Sequence, residues 1–238
     1  MLIAKLLPTP APSPIIASMA HHLPADPTLD EIRAALAPHI AASAAFDGFS
    51  QQALDYAAKD LGVDGDVARI AFPDGARGMI EAWFAAVDAQ MAEELPAETL
   101  ATMKIRQRIT ALVEKRIELV AKDREALRRA LSILAMPSNA AFSAKLAWRA
   151  ADLMWRLAGD TATDYNHYSK RVILSSVYGA TISVFLNDES DDLSETKAFL
   201  ARRIDQVMRF EGWKHRRAAT RPEMPSLTRF IGRLRYPG

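Results

Sequence analysis

Ala158-Gly159-Asp160-Thr161-Ala162-Thr163-Asp164-Tyr165-Asn166-His167-Tyr168-Ser169-Lys170-Arg171 is a polar, aromatic hinge joining two long apolar helical segments. Gly159 is a natural C-terminal cap for the segment before it, because glycine enters the left-handed conformation without steric cost. Thr163 or Asp164 can cap the segment after it by accepting from free backbone N–H groups. Helices are therefore predicted over about 139 to 158 and 163 to 187. Working outward, the pattern predicts helices over about 99 to 121, 123 to 135 and 192 to 209, with Pro96 and Pro137 marking breaks. With only 10 glycines in 238 residues and long runs of Ala, Leu, Arg and Glu, the chain is expected to be all-α.

Toward the N-terminus, Thr28 and Glu31 form a Ser/Thr-x-x-Glu capping box ahead of Ile32, Leu36 and Ile40. A second helix is predicted from about Ser50 to Leu61, stopping at Gly62, and a short third near Asp66 to Phe72. A long amphipathic helix follows from about Gly75 to Leu95, with Met79, Ile80, Trp83, Phe84 and Val87 at spacings of three and four. Four segments result: a Pro-rich leader (1–27) expected to be unstructured, the N-terminal helices (28–95), a helical domain (96–209) and a basic tail (210–238).

The absence of cysteine excludes disulfides, thiolate nucleophiles and Cys-ligated metal sites. A formal net charge of +1 gives no global attraction to nucleic acid or acidic lipid, so charge distribution has to carry such an argument. From Arg209 onward there are eight Lys or Arg against Glu211 and Glu223, which leaves the body acidic. In that tail Leu227, Phe230, Ile231 and Leu234 form one stripe, with Arg229, Arg233 and Arg235 off it. This is the pattern of an interfacial anchor on an anionic membrane surface, and equally of a tail helix packed in a protein groove. No apolar run spans a bilayer. The run from Val172 to Leu186 reads as a helix buried all round, through a central position or a dimer face.

Asp160, Asp164 and His167 carry the types of a metal or acid/base site, but no metal-binding spacing accompanies them, and carboxylates at a helix start read first as caps. No metal site, catalytic residue or cofactor is expected. Trp148, Trp155, Tyr165, Tyr168 and Tyr178 concentrate aromatic surface in a short stretch. For Tyr165 and Tyr168, beside Asn166, His167 and Lys170, a partner surface and a core position both stay open.

The order of the helices from 28 to 95, medium, Leu61-Gly62-terminated, very short, then long, resembles the N-terminal part of TetR-type regulators. The segment in the place of their groove-reading helix, Asp64 to Asp74, carries several carboxylates against the single Arg69, which opposes phosphate binding, and no nucleic-acid partner is expected.

A second resemblance rests on Asp152-Leu153-Met154-Trp155, Ala158-Gly159-Asp160, Thr163-Asp164-Tyr165-Asn166, Tyr168 and Lys170-Arg171. It extends upstream to Arg129–Asn139 and downstream to Val177–Thr181, Asp188-Glu189-Ser190 and Phe199–Ile204. In that order the set resembles the ninth Coq protein family, lipid-binding accessory proteins of ubiquinone (coenzyme Q) biosynthesis. The resemblance is strongest from about 128 to 208 and looser from 28 to 125. It implies a TetR-like fold with a three-helix N-terminal part and a lipid-binding C-terminal part. It also implies a homodimer through the last core helices, an isoprenoid or quinone lipid in an apolar pocket, and association with the demethoxyubiquinone hydroxylase, without bond chemistry of its own.

Under that resemblance the pocket lining is sought among Leu134, Met136, Leu146, Leu153, Met154, Trp155, Ile173 and Val177. The partner-binding patch comprises Asp160, Tyr165, Asn166, His167, Tyr168 and Arg171. Relatives commonly carry Trp-Tyr where this chain has His167-Tyr168, which exchanges an aromatic anchor for a titratable group. The expected place is cytoplasmic, peripheral on the inner face of the cytoplasmic membrane. The runner-up is a TetR-type transcription regulator with a hydrophobic effector.

Overall fold

The computed structural model describes residue 24, residues 26–161 and residues 165–219, with side chains through residue 209 except those of 165 and 166. Most of the leader, both expected caps at Thr163 and Asp164, and the tail stripe from Leu227 to Arg235 lie outside the described residues. Among those described there are only helices and turns. In chain order they are α1 (Leu29–Asp47), α2 (Gln51–Leu61), α3 (Gly65–Ala71), α4 (Ala76–Glu94), α5 (Ala97–Ala101) and α6 (Ile105–Ala121). Then come α7 (Arg124–Leu134), a 3-10 turn (Pro137–Asn139), α8 (Ala140–Leu157), α9 (Tyr165–Phe185), a second 3-10 turn (Asp191–Leu193) and α10 (Ser194–Ala219).

The chain forms two compact units. The first comprises residues 1–90 and 122–139, so α7, grouped by sequence with the C-terminal domain, packs on α1 of the N-terminal helices. Its start is set by the capping box: Thr28 Oγ1 accepts from the Glu31 amide (3.3 Å) and the Glu31 carboxylate accepts from the Thr28 amide (2.8 Å). Ile32, Leu36 and Ile40 are buried behind it, each contributing about 1.5–3 kcal/mol by leaving water. Arg129 Nε ties α7 to the Ala45 carbonyl at the end of α1 (3.0 Å). Gly62 ends α2 in the left-handed conformation, φ 67°, as the sequence leads one to expect.

In α3, Asp64 caps by accepting from the amides of Asp66 (2.8 Å) and Val67 (3.1 Å). Arg69, the one cation of this helix, pairs with Asp66 and reaches Asp55 on α2 at 3.6 Å. Tyr56 and Ile70 are exposed.

The second unit comprises residues 91–121 and 140–238. The single helix expected over 99 to 121 is broken at 102–104. Arg108 is the physical reason: its guanidinium donates to the carbonyls of Ala101 (3.1 Å) and Met103 (2.9 Å), giving the interrupted turn side-chain partners. Gln107 then caps α6 by accepting from the Lys104 amide (3.0 Å). α10 runs past the expected end near 209 to Ala219.

α9 also differs from expectation. Leu174, Val177, Tyr178, Thr181, Ile182 and Phe185 are buried, but Val172, Ser176, Gly179 and Ser183 lie open on the other side. Burial all round through a central position is therefore ruled out within this unit, because the open residues recur at helical spacing and form one face.

Candidate functional site

The hinge is built as a lock between α8 and α9. At the end of α8 the Asp160 amide donates to the Trp155 carbonyl and the Gly159 amide to the Arg156 carbonyl, both at 2.9 Å, with Gly159 at φ 87°. This is a Schellman closure, which satisfies the last carbonyls of the helix. Arg108 donates to the Ala158 carbonyl at 2.8 Å, and a Cβ on Gly159 would lie 3.2 Å from that guanidinium.

Arg171 of α9 lies across the seam with a side chain only 2% exposed. Its Nε donates to Asp152 (2.6 Å), and its Nη1 to Asp160 (3.2 Å) and to the His167 carbonyl (3.0 Å). Lys170 takes the other Asp160 oxygen at 2.6 Å, and Arg156 the other Asp152 oxygen at 3.0 Å. A guanidinium is tolerated here because two carboxylates and a carbonyl replace its water. Trp155 closes the lock by donating Nε1–H to the Lys170 carbonyl at 3.1 Å, with the Lys170 ammonium 5.3 Å from its ring centroid.

This geometry sorts the expected partner residues. Asp160 and Arg171 are interior members of the lock. Tyr168 is 60% exposed, so a core position does not hold for it, and His167 is half-buried beside it. The side chains of Tyr165 and Asn166 lie outside the described residues. Tyr178 faces inward and its hydroxyl accepts from Arg116, whose guanidinium also lies 5.0 Å from the ring centroid.

The expected pocket residues fall in both units. Leu134, buried, and Met136, exposed, belong to the first. Leu146, Leu153, Met154, Trp155, Ile173 and Val177 belong to the second, where Leu146, Met154 and Val177 are buried. None of these lines the open groove of about 520 Å³ bordered by Val184, Ser194, Ala198, Phe199 and Arg202, between α9 and α10.

A buried polar node that sequence reasoning left without a role lies at the junction of α9 and α10. Asp188 accepts from the amides of Ser190 (2.9 Å) and Thr196 (2.8 Å) and from both hydroxyls. Burial pushes its carboxyl up, but the bonds from Ser190 and Thr196 outweigh it and hold the group well below the usual carboxylate range. The signal was the quoted Asp188-Glu189-Ser190 string, whose first residue is a helix cap reached across the turn. Asp123 is pushed up by burial. Glu114 is pushed up by burial and by Glu118, against the opposing pull of Lys197. Among the described residues no group of three His, Asp or Glu could hold a metal ion, and no helix is long and apolar enough to cross a membrane.

The helices and their order make an all-α fold of TetR-like arrangement. A crystal structure of the TetR transcriptional regulator from Nitrosomonas europaea matches with a TM-score of 0.59 at 21% identity, covering 74% of this chain and 97% of that one. Residues 140–211, the segment that contains the lock and the aromatic patch, match the COQ9 family model. The mitochondrial ubiquinone biosynthesis protein COQ9 of Rattus norvegicus is 31% identical over 168 residues, 68% of this chain and 54% of that protein. The Xenopus tropicalis protein is 30% identical over 68% of this chain and 53% of its own length. The human protein is 38% identical over 96 residues, 40% of this chain and 30% of that one. The chain thus spans about half the length, or less, of these curated relatives.

Proposed function

We propose that this protein is a non-catalytic, lipid-binding accessory protein of ubiquinone biosynthesis. It binds a polyprenyl quinone precursor at the membrane and presents the head group to the demethoxyubiquinone hydroxylase. The observation that carries this reading is the match of residues 140–211 to the COQ9 family model, together with relatives named for ubiquinone biosynthesis.

Physical chemistry supplies the need. A polyprenyl chain buries many CH₂ groups in the bilayer at about 0.8 kcal/mol each, so its release into water is prohibitive without an apolar replacement. Leu146 and Met154 on α8 and Val177 on α9 supply buried apolar surface, and a prenyl chain reaching them must part packed helices. The open face of α9 at Ser176, Gly179 and Ser183 suits a second copy, because small side chains let helices approach closely. The apolar stripe at Leu227, Phe230, Ile231 and Leu234, with Arg229, Arg233 and Arg235 beside it in sequence, is assigned to the anionic inner face of the cytoplasmic membrane.

Deleting the gene should lower ubiquinone and accumulate its demethoxy precursor, with both restored by the intact chain. Unchanged quinone levels in the deletion strain would overturn the assignment.

A further inference from the structure

The short helix α5 and the turn after it form a strap that is thinly held. Of residues 96–102 only Leu100 is buried, at 1% exposure, and the others lie open to solvent. Pro96 opens the strap without a side-chain cap, and a helix of five residues is too short to be stable by its own hydrogen bonds. A segment with one buried side chain and an exposed backbone belongs to the low-stability end of a fold, where local opening is easiest.

Arg108, half-buried in α6, fastens this strap to a distant point. Its Nε donates to the Met103 carbonyl (2.9 Å) and its Nη2 to the Ala101 carbonyl (3.1 Å), both in the strap. Its Nη1 donates to the carbonyl of Ala158 at the end of α8 (2.8 Å), 50 residues along the chain. All these segments belong to the second unit. A guanidinium presents its N–H groups in a rigid planar fork, so it cannot follow one carbonyl without turning from the others. Gly159 leaves it the room to reach Ala158, since a Cβ there would lie 3.2 Å from Nη1. Two residues beyond Ala158 stands Asp160, which Lys170 and Arg171 hold in the lock. The strap and the lock are therefore joined through a single side chain.

Two ways into the interior of this unit differ in what they disturb. Parting α8 from α9 separates the buried Arg171 from its carboxylates. Lifting the strap breaks two hydrogen bonds and withdraws one leucine. The isobutyl group of Leu100 has the branched outline of an isoprene unit, so the space it vacates suits the width of a prenyl chain.

We infer that residues 96–104 are the gate by which a prenyl chain enters the second unit, with Leu100 as the plug and Arg108 as the latch that couples the gate to the lock. This rests on the lipid-binding reading under the proposed function.

The test uses the purified full-length chain, unaltered and as Arg108→Ala, Arg108→Lys and Gly159→Ala, each checked for native helicity by circular dichroism. Hydrogen exchange followed by mass spectrometry reads the strap without any ligand. Amides 96–104 should exchange about ten-fold faster in Arg108→Ala, and to a smaller extent in Arg108→Lys and in Gly159→Ala, while α8 keeps its protection. Tritiated geranylgeraniol, a linear prenyl alcohol, is then transferred from phosphatidylcholine vesicles and the bound fraction is followed in time. Arg108→Ala should load and release it about ten-fold faster, with the amount bound at equilibrium unchanged, as removal of a latch requires. Exchange over 96–104 equal to that of the unaltered chain overturns the latch. A freed strap with unaltered loading and release rates overturns the gate and leaves the lipid-binding reading standing. An unaltered chain that takes up no geranylgeraniol overturns that reading, and the inference with it.

Discussion

Two helix pairs in this chain are each fastened by one arginine shared between two aspartates, and their surroundings differ in almost every other respect. Across α2 and α3, Arg69 joins Asp55 and Asp66 at the surface, in a region whose remaining charges are mostly carboxylates. Across α8 and α9, Arg171 joins Asp152 and Asp160 in the interior, with Arg156 and Lys170 on the remaining carboxylate oxygens. At the surface water screens the pair, which adds little to stability but offsets the one positive charge that α3 could offer a phosphate. In the interior each charge depends on the others, so the triad dictates how the two helices meet.

Removal of the interior arginine should therefore have the largest effect. Arg171→Ala leaves two carboxylates without their guanidinium and should lower the unfolding free energy by about 3–5 kcal/mol, read from urea denaturation. A loss below about 1 kcal/mol would erase the contrast between the two pairs.

Gly159→Ala sharpens the same side of the comparison. Its φ of 87° disfavours any side chain, and the new Cβ would meet Arg108 at 3.2 Å, so a loss of about 1–2 kcal/mol is expected in the same assay.

Acid should act on the second unit through Asp188. Its folded pKa lies below that of the unfolded chain, so its contribution is complete above the ordinary carboxylate value of about 4 and is lost as pH falls beneath it. Unfolding free energies measured between about pH 6 and pH 2 should decline, and Asp188→Asn should decline less steeply. Equal slopes would remove Asp188 from the account. The smallest effect belongs to Arg69→Ala, within about 0.5 kcal/mol of the unaltered chain, and a larger one would show that the surface pair is not screened as described.

Local chemistry was the most legible part of the sequence. Thr28 with Glu31, Gly62 and Gly159 announce helix ends because cap and capped groups lie within a few residues, and the apolar spacing from Met79 to Val87 marks a buried face directly. The break at 102–104 was not legible, because the side chain that stabilises it belongs to Arg108 inside the next helix. Arg171 reads from the sequence as part of a partner-binding patch, and its burial is not legible there because it depends on Asp152 and Asp160 meeting it once α8 and α9 pack. Only the packed helices reveal that Arg171 is interior while Tyr168 next to its turn is exposed. Trp148 was visible as an aromatic residue, but its meeting with His167 and Tyr168 depends on the register of α8 against α9, which the lock sets.

The central claim, that this chain carries a lipid for presentation, is tested most directly by extracting the purified protein with organic solvent and identifying bound molecules by mass spectrometry. An unrelated helical protein purified in parallel serves as the control. Enrichment of a prenylated phenol or quinone over that control is the predicted result. A folded protein that yields no lipid above the control would contradict it.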